Sequence, residues 1–140
     1  MYNPYQLTDK VILVTGASSG IGRTTAIECA KLGAKLIISG RNETRLKATL
    51  DVLEGDGHQM IIADLSISSQ IEKLVDALPK IDGFSCNAGV AITQPISFYK
   101  EIEIESVFRT NTFSMMLLTK HLVKKKKLNR GASIVYTASV

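Results

Sequence analysis

Tryptophan is absent from this 140-residue sequence, cysteine occurs twice, and no apolar run approaches the roughly 20 residues that a membrane-spanning helix requires. No membrane association is therefore expected. The opening stretch, MYNPYQLTDK, has neither the basic start nor the apolar core of a secretory leader. These absences point to a soluble, cytoplasmic protein. Cys29 and Cys86 lack metal-ligand spacing and are too few for a disulfide framework. Both sit among apolar residues, which predicts buried free thiols and no metal site. A strong excess of one charge is also missing: 17 Lys and Arg stand against 13 Asp and Glu, a formal net charge of +4. Four of the cations form the run Lys124–Lys127, which closes a long helical pattern. Lysines there favour the negative end of the helix dipole. The run reads as a solvated helix end, and no nucleic-acid partner is expected.

What the chain does contain is aliphatic: hydrophobic residues make up 45% of it. Its length suits one domain, residues 1–140, with a real core. Five short apolar runs read as strands: VILV (11–14), KLIIS (35–39), QMIIA (59–63), IDGFSC (81–86) and SIVYTA (133–138). Helical stripes lie between them. The first helix is predicted from Gly20 to Leu32, with Gly33 as its C-terminal cap. Asn42 caps a second, carrying Leu46, Leu50 and Leu53 on one side. Ser69 and Glu72 have capping-box spacing ahead of Ile71, Leu74, Val75 and Leu78, and Pro79 stops that third helix. A long fourth helix is predicted from Ile102 to Lys126. Its apolar face comprises Ile104, Val107, Phe108, Met115, Leu118 and Leu122. Strand–helix alternation implies an α/β fold with parallel strands and right-handed crossovers. Ligands of such sheets sit beyond the carboxyl ends of the strands.

The segments that follow each strand are therefore the candidates for function. TGASSGIG (15–22) places Gly16, Ser18, Ser19, Gly20, Ile21 and Gly22 where a strand turns into a helix. Glycines there permit a tight turn and close backbone approach, and the helix N-terminus offers unpaired N–H groups to a diphosphate. After the second strand comes SGRN. An NAD site usually carries an acid about 20 positions past the glycines, to hold the ribose hydroxyls. Here Gly40 and Arg41 occupy that place. A guanidinium grips a 2′-phosphate that an acid would repel, so NADP(H) is favoured over NAD. Ser39 and Asn42 are placed to add hydrogen bonds. Asp64, with the Leu65 backbone beside it, is a candidate acceptor for an adenine amino group. Asn87, Ala88 and Gly89 form a small turn that leaves room for a flat ligand. Asn111 falls on the apolar face of the long helix, where its amide must meet backbone, water or an active site or cost about 1–3 kcal/mol. Ser139 follows the fifth strand, level with the other turns.

Taken together, these motifs resemble the short-chain dehydrogenase/reductase family from Lys10 onward. TGASSGIG matches the family's TGxxxGxG, Asp64–Leu65 its adenine-pocket motif, and CNAG its NNAG with Cys86 in place of the first Asn. Asn111 matches the helix asparagine of the catalytic tetrad, and Ser139 the serine ending the fifth strand. ISGRN is similar to NADP-preferring members, including 3-oxoacyl-[acyl-carrier-protein] reductases. The resemblance implies a Rossmann-type doubly wound parallel sheet in strand order 3-2-1-4-5. It also implies hydride transfer between NADP(H) and a small carbonyl or alcohol substrate. Ser139 would polarise the carbonyl oxygen and Asn111 would hold a water on the proton relay. The full-length form would be a homodimer or homotetramer.

One element of the family pattern does not occur. Its catalytic tyrosine and lysine form Y-x-x-x-K, but Tyr2, Tyr5, Tyr99 and Tyr136 are followed at that spacing by Gln6, Asp9, Glu103 and Val140. Tyr136 also differs in parity from Ser139, so it is expected on the other face of the strand. The sequence thus reads as an incomplete domain, truncated before the last two strands and inactive alone. An exposed fifth strand would then promote self-association. A non-catalytic dinucleotide-binding module is the alternative.

Overall fold

A computed structural model describes residues 3–138. Strands and helices alternate: β1 (Val11–Thr15), α1 (Gly20–Lys31), β2 (Lys35–Gly40), α2 (Glu43–Leu50), β3 (Gln59–Ile62), α3 (Ser68–Ala77) and β4 (Ile81–Cys86). Then come α4 (Glu101–Phe108), a π-helical turn (Arg109–Phe113), α5 (Ser114–Lys124) and β5 (Leu128–Tyr136). The five strands form one parallel sheet in the order β3-β2-β1-β4-β5. This is the Rossmann-like α/β arrangement that the sequence implies.

β1 occupies the middle because its side chains supply both cores. Successive strand residues point to opposite faces. Leu13 joins Ile71, Leu74, Val75, Leu118 and Leu122 on the α3/α5 side. Ile12 and Val14 join Ala26, Ala30, Leu36, Ile38 and Leu46 on the α1/α2 side. A strand buried on both faces gains nothing from alternating polarity, which is why these strands appear as continuous apolar runs.

The helix ends follow local chemistry. Gly33, at φ 91°, closes α1, with its N–H donating to Ala30 and that of Ala34 to Cys29. The Asn42 side chain accepts from the Arg45 N–H at 2.9 Å and caps α2 as expected. At α3 the expected Ser69–Glu72 capping box is replaced. The helix begins two residues earlier, Ile67 takes the cap position, and no side chain caps it. Asp64 organises the turn instead, accepting from the Ser66 N–H at 2.9 Å and the Ser66 hydroxyl at 2.7 Å. Glu72 turns toward Lys125 of the α5 C-cap, 3.1 Å away.

The long helix is interrupted. The π turn inserts an extra residue per turn at Arg109–Phe113, which rotates α5 relative to α4. The single apolar face expected from Ile104 to Leu122 is accordingly split. Leu118 and Leu122 are fully buried, whereas Phe108 is 55% exposed. The lysine run also departs from a purely solvated helix end. Lys125 pairs with Glu72 and, at 2.5 Å, with Asp76, and the Lys127 ammonium donates to the carbonyls of Asp76 and Leu78. Both residues tie the end of α5 to α3. Cys86 is buried as expected, but Cys29 is only half-buried, packed against the edge of the α1/α2 core. β5 starts earlier than its apolar run, because Leu128 pairs with Ile81 before an irregularity in the ladder.

Candidate functional site

The carboxyl ends of β1, β2, β3 and β4 surround a cleft of about 350 Å³. Every residue expected to hold a cofactor lines it: Gly16, Ser18, Ser19, Gly20, Ile21 and Gly22 from the first turn, Arg41 and Asn42 from the second, Asp64 and Leu65 from the third, and Asn87, Ala88 and Gly89 from the fourth.

The first turn is built on close backbone contact. Gly16 has φ 66°, and a Cβ there would stand 2.6 Å from the Asn87 carbonyl carbon and oxygen. A Cβ at Gly22 would overlap the carbonyl oxygen of Gly16. Only glycine allows β1, α1 and the β4 turn to meet this closely. At Gly20, φ 54°, a Cβ would meet nothing within 4 Å, so this position faces open cleft. Ser19 takes the N-cap position of α1 without a side-chain hydrogen bond, and no acidic residue lies in the first helical turn. The N-terminal amides and the positive dipole end of α1 are thus unspent by the protein's own side chains.

The second turn is cationic. Arg41 and Arg45 both line the cleft, and among the described residues neither forms an ion pair. Gly40 leaves space that the Ser18 hydroxyl fills: a Cβ at position 40 would overlap Ser18 Oγ. The hydroxyls of Ser18 and Ser39 are buried and have no hydrogen-bond partner. A buried polar group is ordinarily paired, so two orphan hydroxyls beside a cationic turn fit a polar ligand.

Among the described residues, Asp64 brings the one carboxylate to this cleft. Partial burial pushes its pKa up, but two hydrogen bonds from Ser66 and the Arg41 charge outweigh that and hold it below the ordinary carboxylate range. Leu65 is buried with its side chain in the core, so only its backbone can address a ligand. The Asn87 side chain is likewise committed. Its amide donates to Ser85, and its oxygen accepts from the Thr137 hydroxyl at 2.6 Å. What Asn87, Ala88 and Gly89 offer is a thin backbone wall. Cys86 does not line the cleft, and burial pushes its thiol pKa up.

Asn111 sits in the π turn, and its amide meets backbone. Oδ1 accepts from the Val90 N–H and Nδ2 donates to the Val90 carbonyl, both at 2.8 Å. One lone pair on Oδ1 and one proton on Nδ2 are left over. Ser139 lies outside the described residues. Tyr136 packs edge-on against Phe84 with ring centroids 6.4 Å apart, and its hydroxyl meets Thr119 Oγ1 at 2.6 Å.

Three cleft residues escape the sequence reading as site residues, Ala63, Thr110 and Arg45. Thr110 is 7% exposed and adjoins Asn111, and Arg45 lies four residues beyond Arg41. No sequence signal singles out Arg45, because Arg41 precedes the N-cap Asn42 and helical spacing does not relate the two. Among the described residues, no helix is long and apolar enough to cross a membrane, and no cluster of His, Cys, Asp and Glu is placed to hold a metal ion.

These features agree with known proteins. The chain is 34% identical over 134 residues to the 3-oxoacyl-[acyl-carrier-protein] reductase FabG of Rickettsia felis, covering 96% of this chain and 55% of that protein. It thus spans about half the length of the curated relatives it matches. Among solved structures, the oxidoreductase yciK from E. coli superposes with TM-score 0.87 at 32% identity, over 99% of this chain and 61% of the other. A short chain dehydrogenase from Escherichia coli CFT073 complexed with NADPH gives TM-score 0.79 at 32% identity, over 88% and 55%. The family profile described as short chain dehydrogenase matches residues 10–140, and the chain belongs to that family of oxidoreductases.

Proposed function

We propose that the chain is the coenzyme-binding part of an NADP(H)-dependent oxidoreductase acting on a small carbonyl or alcohol. One observation carries the proposal: a glycine cradle, unspent helix amides, two arginines without ion pairs and two orphan hydroxyls converge on a single cleft. The solved relative that holds NADPH supports it.

In this proposal the α1 amides and the Gly16–Gly22 backbone bind the diphosphate. Arg41 grips the 2′-phosphate bidentately. Asp64 and the Leu65 backbone receive the adenine, and the Asn87–Gly89 wall orients the flat ring. When bound, the nicotinamide supplies the hydride chemistry. Asn111, fixed by Val90, uses its remaining lone pair and proton to hold a water. Ser139 is assigned to the substrate carbonyl. Because no tyrosine in the 140 residues is followed by lysine at the family spacing, we further propose that this chain binds coenzyme without turning over substrate. That same feature favours the second reading, a dinucleotide-binding module. The proposal extends to a cytoplasmic protein whose longer form assembles as a dimer or tetramer. Phe108, Phe113 and Met116, each more than half exposed, supply apolar surface for such contact.

Calorimetric titration with NADPH and NADH tests the proposal. NADPH is expected to bind at least roughly tenfold tighter, and Arg41→Ala to weaken NADPH much more than NADH. Equal affinities in the parent chain, or equal losses in the variant, would refute the assignment. Ketone reduction at the rate of an intact reductase would refute the absence of chemistry.

A further inference from the structure

We infer that Arg45 is a second specificity-determining residue, sharing the extra phosphate of the coenzyme with Arg41. The inference rests on the coenzyme reading above and adds to it a residue outside the motifs that suggested that reading.

Arg45 lies in the first turn of α2 and lines the same cleft as Arg41. Its backbone is fixed there, because its N–H donates to Asn42 Oδ1 at 2.9 Å. Asn42 is therefore occupied in shaping the turn that presents Arg45. Two arginines thus line one cleft beside the positive end of a helix dipole, and like charges sharing a cleft repel unless an anion joins them. The protein does not supply that anion. Neither arginine has an ion-pair partner among the described residues, and the one carboxylate lining the cleft, Asp64, accepts both donors of Ser66. An independent feature points to a ligand. Ser39 lines the cleft at 1% exposure with an unpartnered hydroxyl. A ribose 2′-phosphate carries a charge of about −1.5 to −2 at neutral pH and three acceptor oxygens. That matches two guanidinium forks and one hydroxyl, and it exceeds what a single arginine satisfies.

The site should then recognise the 2′-phosphorylated adenosine end alone, with no contribution from nicotinamide. The test is calorimetric titration of the 140-residue chain with adenosine 2′,5′-bisphosphate and with adenosine 5′-monophosphate, in the parent, Arg41→Ala, Arg45→Ala and Arg45→Lys. The bisphosphate is expected to bind more tightly than the monophosphate. Arg45→Ala is expected to weaken bisphosphate binding roughly tenfold relative to monophosphate. The loss should be larger at low than at high salt, and Arg45→Lys should recover part of it. Thermal midpoints establish that the variants remain folded. If Arg41→Ala weakens the bisphosphate while Arg45→Ala changes it less than about twofold, the role of Arg45 is overturned and the coenzyme reading stands. Equal weakening of both ligands by Arg45→Ala also overturns the role. If the parent chain binds the two ligands alike, or neither, both ideas fall.

Discussion

Asn111 and Val90 hold each other by two hydrogen bonds of 2.8 Å, side-chain amide to backbone amide, across 21 residues of sequence. The pair ties the turn after β4 to the π turn between α4 and α5. A Cβ at Gly89 would stand 3.4 Å from Asn111 Oδ1, so the neighbouring cleft wall is fixed by the same contact. Asn111→Ala removes both partners of a half-buried peptide group. The expected cost is about 1–3 kcal/mol, read as a lower urea midpoint at unchanged slope. Asn111→Asp should not rescue it, because a carboxylate would face the Val90 carbonyl without a proton to give. Full rescue by Asp would show that the Val90 carbonyl does not need its donor.

Gly16 and Gly20 both have positive φ, yet they should respond differently to alanine. At Gly16 the new methyl meets the Asn87 backbone, which cannot swing aside. Gly16→Ala should cost more than about 2 kcal/mol and separate β1 from the β4 turn. At Gly20 the methyl meets no protein atom, so strain alone acts, about 1–2 kcal/mol. The Gly20 methyl would nevertheless stand in the cleft. Its variant should stay folded and lose NADPH affinity. Similar denaturation midpoints for the two variants would contradict the backbone contact at Gly16.

Asp82 sits where three strands begin. It accepts from the Val11 N–H at 2.9 Å and from the Asn129 amide at 3.0 Å. The Val11 N–H foremost, with Asn129 and the Lys10 charge, holds its pKa below the ordinary value, against partial burial that pushes it up. A depressed folded pKa gives stability above the unfolded value, about 3.9, and loses it as pH falls through the folded value. Asp82→Ala should therefore be clearly less stable than the parent near pH 7, with the gap narrowing as the pH falls below the unfolded value of about 3.9. Urea midpoints across that range measure it. A gap of constant size would assign the loss to packing instead of charge.

Much of this architecture was legible in sequence because its signals are local. A parallel strand covered on both faces must be apolar throughout, so VILV and KLIIS were readable without tertiary information. Gly33 and Asn42 act within a turn of themselves, and both cap as expected. What escaped depends on distant partners. Glu72 had capping-box spacing, but Lys125, 53 residues away, claims it. The helical period across residues 102–126 was sound on each side of Asn111, and a one-residue π insertion is invisible to a periodicity argument. β5 begins in LNRG, which has no strand pattern, because Leu128 finds Ile81. Arg45 carries no local motif, and only the fold sets it on the same cleft as Arg41.

Gly40 and Ser18 offer a route to reverse the coenzyme preference. A carboxylate at position 40 would repel a 2′-phosphate and accept from the ribose hydroxyls of NAD. Gly40→Asp alone, however, drives its Cβ into Ser18 Oγ, the end of a short side chain whose hydroxyl has no partner. Removing that oxygen leaves the Ser18 Cβ 3.5 Å from the new Cβ, an ordinary contact. Gly40→Asp is therefore expected to weaken both coenzymes, NADPH more, through repulsion and displacement together. The double variant Ser18→Ala, Gly40→Asp should regain NADH binding and not NADPH, leaving NADH favoured roughly tenfold. Dissociation constants for both coenzymes across the parent, two single variants and the double variant complete the cycle. Additive free energies would show that Ser18 and Gly40 do not touch in the way the structure places them.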